Sequence, residues 1–219
     1  MIHMLEKMSD FFEARLDGYD QHMMANIESA TDFYPFTASC LPMDDGCAVL
    51  DLGCGTGLEL EAYLRFNPTA KITGIDLSRG MLDALQKKFV GHSMTLICDS
   101  YFDVPFGEEC LDAAVSVESL HHFTQEAKIP LYTKLCNALK PGGYFILTDY
   151  FALTDAEEQA NFTELTRLKA EQGITDDTFY HFDTPLTVQH ETAALLEAGF
   201  SSVEVLNSWG PTYTIKVTR

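Results

Sequence analysis

Residues 47 to 60, Cys-Ala-Val-Leu-Asp-Leu-Gly-Cys-Gly-Thr-Gly-Leu-Glu-Leu, run from an apolar, strand-like segment through an acid into a turn with a glycine at every second position. Gly53, Gly55 and Gly57 let the chain turn sharply from strand into helix and bring backbone close to a ligand with no Cβ in the way. The spacing is G-x-G-x-G, whereas the dinucleotide fingerprint places its third glycine one residue later. Asp51 argues in the same direction. A carboxylate at the strand's end repels a pyrophosphate but suits a ligand carrying an ammonium or a sulfonium.

Two further strands end in acids. Lys71-Ile-Thr-Gly-Ile-Asp76 places a carboxylate 19 residues past Gly57, where it can accept two hydrogen bonds from a ribose diol. Met94-Thr-Leu-Ile-Cys98 ends at Asp99-Ser100, in position to meet an adenine amino group. Each acid alone has a plain reading as a loop-start or helix-capping carboxylate. Three in register behind one glycine loop point to a shared ligand.

The rest of the chain alternates between periods of two and of 3.6. Leu58 to Phe66 reads as a helix closed by Asn67-Pro68, and Ser78 to Phe89 as a helix N-capped by Ser78. Leu111 to Val117 reads as a strand, Gln125 to Leu139 as a helix stopped by Pro141-Gly142-Gly143, and Tyr144 to Thr148 as another strand. Thr154-Asp-Ala-Glu157 forms a capping box for a helix to about Gln172, and a second helix spans Val188 to Ala198. Val203 to Leu206 and Thr212 to Thr218, separated by Trp209-Gly-Pro211, suggest an antiparallel pair at the sheet edge. Alternating strands and helices predict an α/β fold with a mainly parallel sheet covered on both faces, whose ligands bind beyond the carboxyl ends of the strands.

With these motifs in order, the chain resembles the class I S-adenosylmethionine-dependent methyltransferases. Val49-Leu-Asp-Leu-Gly-Cys-Gly-Thr-Gly57 is similar to their first motif, Gly74-Ile-Asp-Leu-Ser78 with Met81-Leu82 to their second, and Leu139-Lys-Pro-Gly-Gly-Tyr-Phe-Ile-Leu147 to the segment entering their fifth strand. The resemblance implies a Rossmann-like three-layer sandwich, with a seven-stranded, mainly parallel sheet, an antiparallel C-terminal edge strand and an N-terminal helical lid. It implies S-adenosylmethionine as cofactor, with Asp51 and the glycine loop of Gly53, Gly55 and Gly57 at its methionine end, Asp76 at the ribose and Asp99 at the adenine, and with Cys54, Leu77, Met81, Ser100 and Val117 completing the cofactor-binding set. The position of Cys54 tolerates several small residues in the family. In Phe12-Glu-Ala-Arg-Leu-Asp-Gly-Tyr-Asp20, Tyr19 matches an element that folds over the donor in many relatives.

The acceptor side is read from Val117-Glu-Ser-Leu-His-His-Phe123, which resembles methyltransferases of the small-molecule, quinone and natural-product type. There the resemblance implies His121 as the base and Asp149 as its helper. Glu118, His122 and Tyr150 also stand at that end of the sheet. A structural role, packing or capping the following helix, is the alternative for both histidines. Phe151, Tyr180, His181, Phe182 and Trp209 are candidate walls for an acceptor pocket, since aromatics join apolar area to a polar tip.

The length, 219 residues, suits a single domain: a helical cap over 1–40, a cofactor-binding core over 41–150, and acceptor-side helices and terminal strands over 151–219. Acids outnumber Lys and Arg by 33 to 14, for a formal net charge of -19, which repels phosphate backbones and disfavours a nucleic-acid partner. Six cysteines without a C-x-x-C pair read as reduced core residues, and no metal is expected. No signal peptide and no long apolar run are recognisable, so a cytoplasmic protein with no membrane partner is expected. The leading reading is a small-molecule methyltransferase. A methyltransferase of protein or RNA side chains, and a cofactor-binding protein without transfer activity, stand as alternatives. An Asn-Pro-Pro-Tyr type motif, which amide and exocyclic-amine methylators carry after strand four, is missing here.

Overall fold

The computed structural model describes residues 4–176 and 178–219, so the first three residues of the expected N-terminal cap lie outside the described residues. Seven strands form one sheet: β1 (Ala48–Leu52), β2 (Lys71–Asp76), β3 (Met94–Cys98), β4 (Leu111–Val117), β5 (Leu139–Tyr150), β6 (Ser202–Trp209) and β7 (Thr212–Thr218). Their order is β3-β2-β1-β4-β5-β7-β6. The first five are mutually parallel, while β7 runs antiparallel to both β5 and β6. The reversed strand is therefore inserted one place inside the edge, and β6 closes the sheet. Gly210, at φ 57, supplies the left-handed turn that folds β6 back onto β7.

Alternation along the strands divides the core in two. Leu50 and Leu52, Ala114, and Phe145 and Leu147 enter one buried cluster, while Val49, Val115 and Val117, and Ile146 enter the other. The first is covered by α6 (Gln125–Ala138) and α8 (Val188–Glu197), and the second by α3 (Ala30–Ser39), α4 (Leu58–Phe66) and α5 (Arg79–Lys88). Helices begin where the sequence supplies caps: Ser78 Oγ accepts the Met81 N–H, Thr124 that of Ala127, Thr154 that of Glu157 and Thr187 that of His190. The helix α7 (Asp155–Glu171) agrees with the expected capping box.

Two expectations change. The helical cap expected over 1–40 divides into three helices: α1 (Met8–Ala14), α2 (Tyr19–Asn26) and α3. The third belongs to the core, with Ala30, Phe33 and Ala38 at most 1% exposed. Thr37 Oγ1 also lies 2.6 Å from Thr148 Oγ1, which in turn lies 2.8 Å from Thr214 Oγ1, tying α3 to β5 and β7. Only α1 and α2 are therefore placed as a lid. Second, β5 begins at Leu139, directly after α6, and not at Tyr144. Leu111 pairs with Leu139 and Ala113 with Tyr144, so Lys140 to Gly143 bulge out of the ladder at the site where Pro141 and glycine were expected to break a helix.

Between α6 and α8, Lys128 Nζ lies 2.6 Å from Glu191 Oε2, both about 1% exposed, and the Tyr132 hydroxyl donates to the same carboxylate. A buried ion pair of this kind is costly to break from one side, because the remaining charge has no solvent. Glu191→Ala should lower unfolding free energy in urea by about 3–5 kcal/mol, whereas Lys140→Ala, at the exposed pair with Asp112, should cost under about 1 kcal/mol.

Candidate active site

Five neighbouring parallel strands each deliver an acid at or near their carboxyl end: Asp99 after β3, Asp76 on β2, Asp51 on β1, Glu118 after β4 and Asp149 on β5. The loop between β1 and α4 runs beneath this row. Gly53, Gly55 and Gly57 all have positive φ, at 74, 47 and 74°. The amides of Gly53 and Cys54 donate to Ile75 O at 2.9 and 3.2 Å, anchoring the loop to β2. A Cβ on Gly53 would sit 2.1 Å from Ser119 Oγ, so the loop and the start of the turn after β4 touch through the missing side chain. Asp76 holds the same loop from the other side: its Oδ2 accepts from Gly55 N at 2.9 Å and its Oδ1 from Ser78 N at 2.8 Å. Each oxygen keeps a lone pair for a ligand hydroxyl.

Asp51 is 1% exposed, and both its carboxylate oxygens lack a hydrogen-bond partner, as does Oε1 of the adjacent buried Glu59. Burial, then the charge of Glu59, pushes Asp51 well above the usual carboxylate range, and burial raises Glu59 as well. Unpaired buried acids call for a cation or a proton. The cleft in front of the loop is lined by Met8, Phe12 and Tyr19 of the lid and by Gly53, Gly55, Asp76, Leu77, Met81, Tyr101 and Val117. Flexible glycine backbone, a diol acceptor and orphaned carboxylates together fit a ligand that joins an adenosyl group to a cationic amino-acid tail.

Some expected residues fall elsewhere. The Cys54 side chain is buried against Gly74 and contributes only backbone to the loop. Asp99 is exposed, with its Oδ1 accepting the Ser100 N–H at 2.8 Å, and Ser100 Oγ accepts from Phe102 N, so this pair shapes its own turn outside the cleft wall. Tyr101, one residue on, lines the cleft instead. Of the five candidate acceptor walls, His181 alone lines the neighbouring cavity. Phe151 is core against Tyr213, Trp209 packs on Phe33 and Phe36, Tyr180 bridges to Lys7, and Phe182 offers its carbonyl to His122.

That second cavity, of about 640 Å³, lies between α1, α2, the turn after β4 and the loop over 178–187. It shares Phe12, Tyr19, Glu118 and His122 with the first cleft. His181 stacks on Phe11 at a centroid distance of 3.5 Å, and Arg15 lies over the other side of the Phe11 environment, paired with Glu6 at 2.9 Å. The lid is fastened by further contacts. Glu13 accepts from Ser78 Oγ at 2.6 Å and Gly80 N at 3.1 Å, Asp20 pairs with Lys88 at 2.6 Å and accepts from Thr56, and Met8 N donates to Phe179 O.

The structure does bring His121 and Asp149 together, both buried, with Nδ1 2.6 Å from Oδ1. Asp149 also accepts from Leu120 N and Tyr150 N, which fixes its orientation. On the far side, Asp183 Oδ1 lies 3.5 Å from His121 Nε2 and 3.3 Å from His122 Nδ1. Burial alone would lower His121, but Asp149 and Asp183 raise it well above the ordinary histidine range. The residue expected as the base is thus held between two carboxylates that favour its protonated form. His122 goes the other way, lowered by burial and by the His121 charge. Its Nδ1 faces Phe182 O at 3.2 Å, so the His121, His122 and Asp183 cluster is an ion-paired network and not an open ligand set. Asp183 was missed from sequence because a single acid in a turn-rich stretch carries no pattern.

Residues 49–143 match the family model described as a methyltransferase domain. The biotin biosynthesis bifunctional protein BioHC of Teredinibacter turnerae is 30% identical over 69% of this chain and 30% of its own length. A tRNA (carboxymethyluridine(34)-5-O)-methyltransferase of Arabidopsis thaliana is 32% identical over 65% of this chain and 34% of its own length. The chain therefore spans about a third of the length of these curated relatives. The crystal structure of human N-acetylserotonin methyltransferase in complex with SAM shares the fold, with a TM-score of 0.65 at 18% identity, covering 93% of this chain and 56% of that one.

Gly53→Ala should test the loop. The new Cβ meets Ser119 while the backbone stays at positive φ, so a loss of about 1–3 kcal/mol is expected in thermal or urea unfolding. The double variant with Ser119→Gly should regain only part of it, because the strain at φ 74 remains.

Proposed function

Since the chain belongs to the class I S-adenosylmethionine-dependent methyltransferases, we propose that it transfers the methyl group of S-adenosylmethionine to a small molecule held in the cavity under the lid. One observation carries this reading: the cavity of about 640 Å³ opens onto the donor cleft through Phe12, Tyr19, Glu118 and His122. That volume suits a compact ligand largely removed from water. When bound, the donor supplies a sulfonium methyl group for in-line displacement, and the protein's share of the work is alignment and exclusion of water.

In this reading Asp51 faces the cationic tail, the glycine loop lies under the donor, and Asp76 accepts from its ribose. Asp99 and Ser100 stay with the adenine end, just outside the cleft wall formed there by Leu77, Met81 and Tyr101. The lid helices α1 and α2 close the cavity and exclude water. His121 and Asp149 are the catalytic pair: Asp149 fixes the ring through Nδ1, and the positive charge that Asp149 and Asp183 favour on it stabilises the acceptor's oxygen as the bond to carbon forms. A cytoplasmic location is part of the same proposal and agrees with the six free cysteines. Among the described residues no helix is long and apolar enough to cross a membrane.

A second reading, transfer to RNA, is favoured by the tRNA-modifying relative. Against it stand the formal net charge of -19 and the carboxylates of Asp17, Glu118 and Asp183 around the cavity, opposed there by Arg15.

Calorimetry with S-adenosylhomocysteine and with NAD tests the donor: binding of the first and none of the second is expected, and the reverse overturns the proposal. In a screen of small hydroxyl compounds against bulk tRNA, methyl transfer to tRNA alone would replace the small-molecule reading. For an acceptor so found, His121→Ala should lower kcat about 10²-fold with donor affinity little changed.

A further inference from the structure

The cavities meet at four side chains, and of these Glu118 is the one placed and chemically suited to move a proton. We propose that Glu118 is the catalytic residue that takes the proton from the acceptor's hydroxyl during methyl transfer. The proposal rests on the methyl-transfer reading above and adds a group which that reading leaves without a role.

Glu118 follows β4 at φ 50, a conformation uncommon for any residue with a side chain. Ser29 and Glu109 are the other non-glycine positions of this kind among the described residues, and neither lines a cavity. Its amide donates to Thr148 O at 2.9 Å, so the ladder between β4 and β5 continues one residue into the strained position and holds it there. The consequence is a carboxylate aimed at the junction of donor cleft and acceptor cavity, with strain stored at the site where chemistry would occur. The side chain is lightly engaged: Thr212 Oγ1 donates to Oε1 at 3.4 Å.

Charged and titratable groups reach Glu118 from every element packed around it. Asp149 comes from β5, His121 and His122 from the turn after β4, Asp183 from the 178–187 loop, Tyr19 from α2, Tyr34 from α3 and Tyr150 from the end of β5. One ligand-type atom each of Glu118, His121 and Asp149 lies within 4.8 Å of the others. Burial and Asp149 raise the Glu118 carboxyl to about 7, against the lowering by the His121 cation. A carboxylate tuned to that range both ionises near neutrality and holds a proton well, which is what a general base needs. The rivals are less suited. His121, which lines the acceptor cavity only, is raised by Asp149 and Asp183, Tyr19 is pushed up by burial, and His122 is lowered with its Nδ1 turned to Phe182 O.

The step balances without another reactant. The acceptor's O–H bond breaks, its proton goes to Glu118, its oxygen forms a bond to the methyl carbon, and the carbon–sulfur bond breaks so that the sulfonium becomes a neutral thioether. The protonated Glu118 then returns its proton to solvent through the cavity.

Glu118→Gln keeps the shape and the Thr212 contact but cannot take a proton. Two probes test it at about pH 8, phenol, which is protonated there, and 4-nitrophenol, which is largely ionised. The variant should lose about 10²-fold in kcat on phenol and less than about 10-fold on 4-nitrophenol, and the wild-type rise in phenol turnover with pH through about 7 should vanish. Equal losses on both phenols would overturn the proposal, as would an acidity-dependent loss in His122→Asn but not in Glu118→Gln. A second measurement needs no turnover: difference infrared spectra of the protein between pH 5 and pH 9 should show a carboxyl band that titrates near 7 in the wild type and is missing in Glu118→Gln. If neither phenol is methylated, this decides, and identical spectra overturn the proposal. Binding of S-adenosylhomocysteine to the variant separates the two levels: retained binding with no titrating carboxyl sinks Glu118 alone, while no binding to either protein sinks the methyl-transfer reading itself.

Discussion

Carboxylates withdrawn from water at one end of a parallel sheet set the terms for the rest of this structure. Asp51, Asp76 and Asp149 stand on strands of the sheet and Glu118 directly follows β4; Asp51, Asp149 and Glu59 of α4 are buried, while Asp76 and Glu118 are half-buried. Buried charge of one sign is tolerable only where each group finds a hydrogen-bond donor, a cation or a proton. The protein answers differently at each position. Backbone amides serve Asp76, an imidazolium serves Asp149, and a raised proton affinity serves Glu118. At Asp51 the neighbour is the equally acidic Glu59, with which it can share a proton, and that is where a cationic ligand has most to gain.

The same constraint orders the two histidines. Side by side on one turn, with ring centroids 4.0 Å apart, they cannot both be charged cheaply. The carboxylates of Asp149 and Asp183 settle the charge on His121, and its presence keeps His122 neutral. Asp183 itself is held well below the usual carboxylate range by these two rings, against the opposing effect of its own burial. The loop over 178–187 is thus fastened to the sheet by the ion pairs that set the site's protonation, and Thr184 N donates to His121 O beside them.

Much of this was legible in the chain because its causes are local. The glycine loop, the acids at strand ends and the threonine and serine caps each depend on a few consecutive residues, and each lies where the pattern put it. What was not legible depends on distant partners. Phe33-Tyr34 falls within the helical cap expected over 1–40 but is core, since β5 and α4 cover it. His121 reads as a base because sequence shows the helper Asp149 and not the opposing Asp183, 62 positions on. Likewise the bulge at Lys140 to Gly143 needs the register against β4, which glycine and proline alone do not give.

The Thr37, Thr148 and Thr214 chain has a further meaning. It joins α3 to β5 and β7, while α1, α2 and the 178–187 loop contribute the cavity's roof. Floor and roof are therefore anchored by separate sets of contacts. New roofs can be exchanged over an unchanged floor, and a family built this way can diversify the molecules it accepts by replacing two short helices and one loop while its donor chemistry stays as inherited.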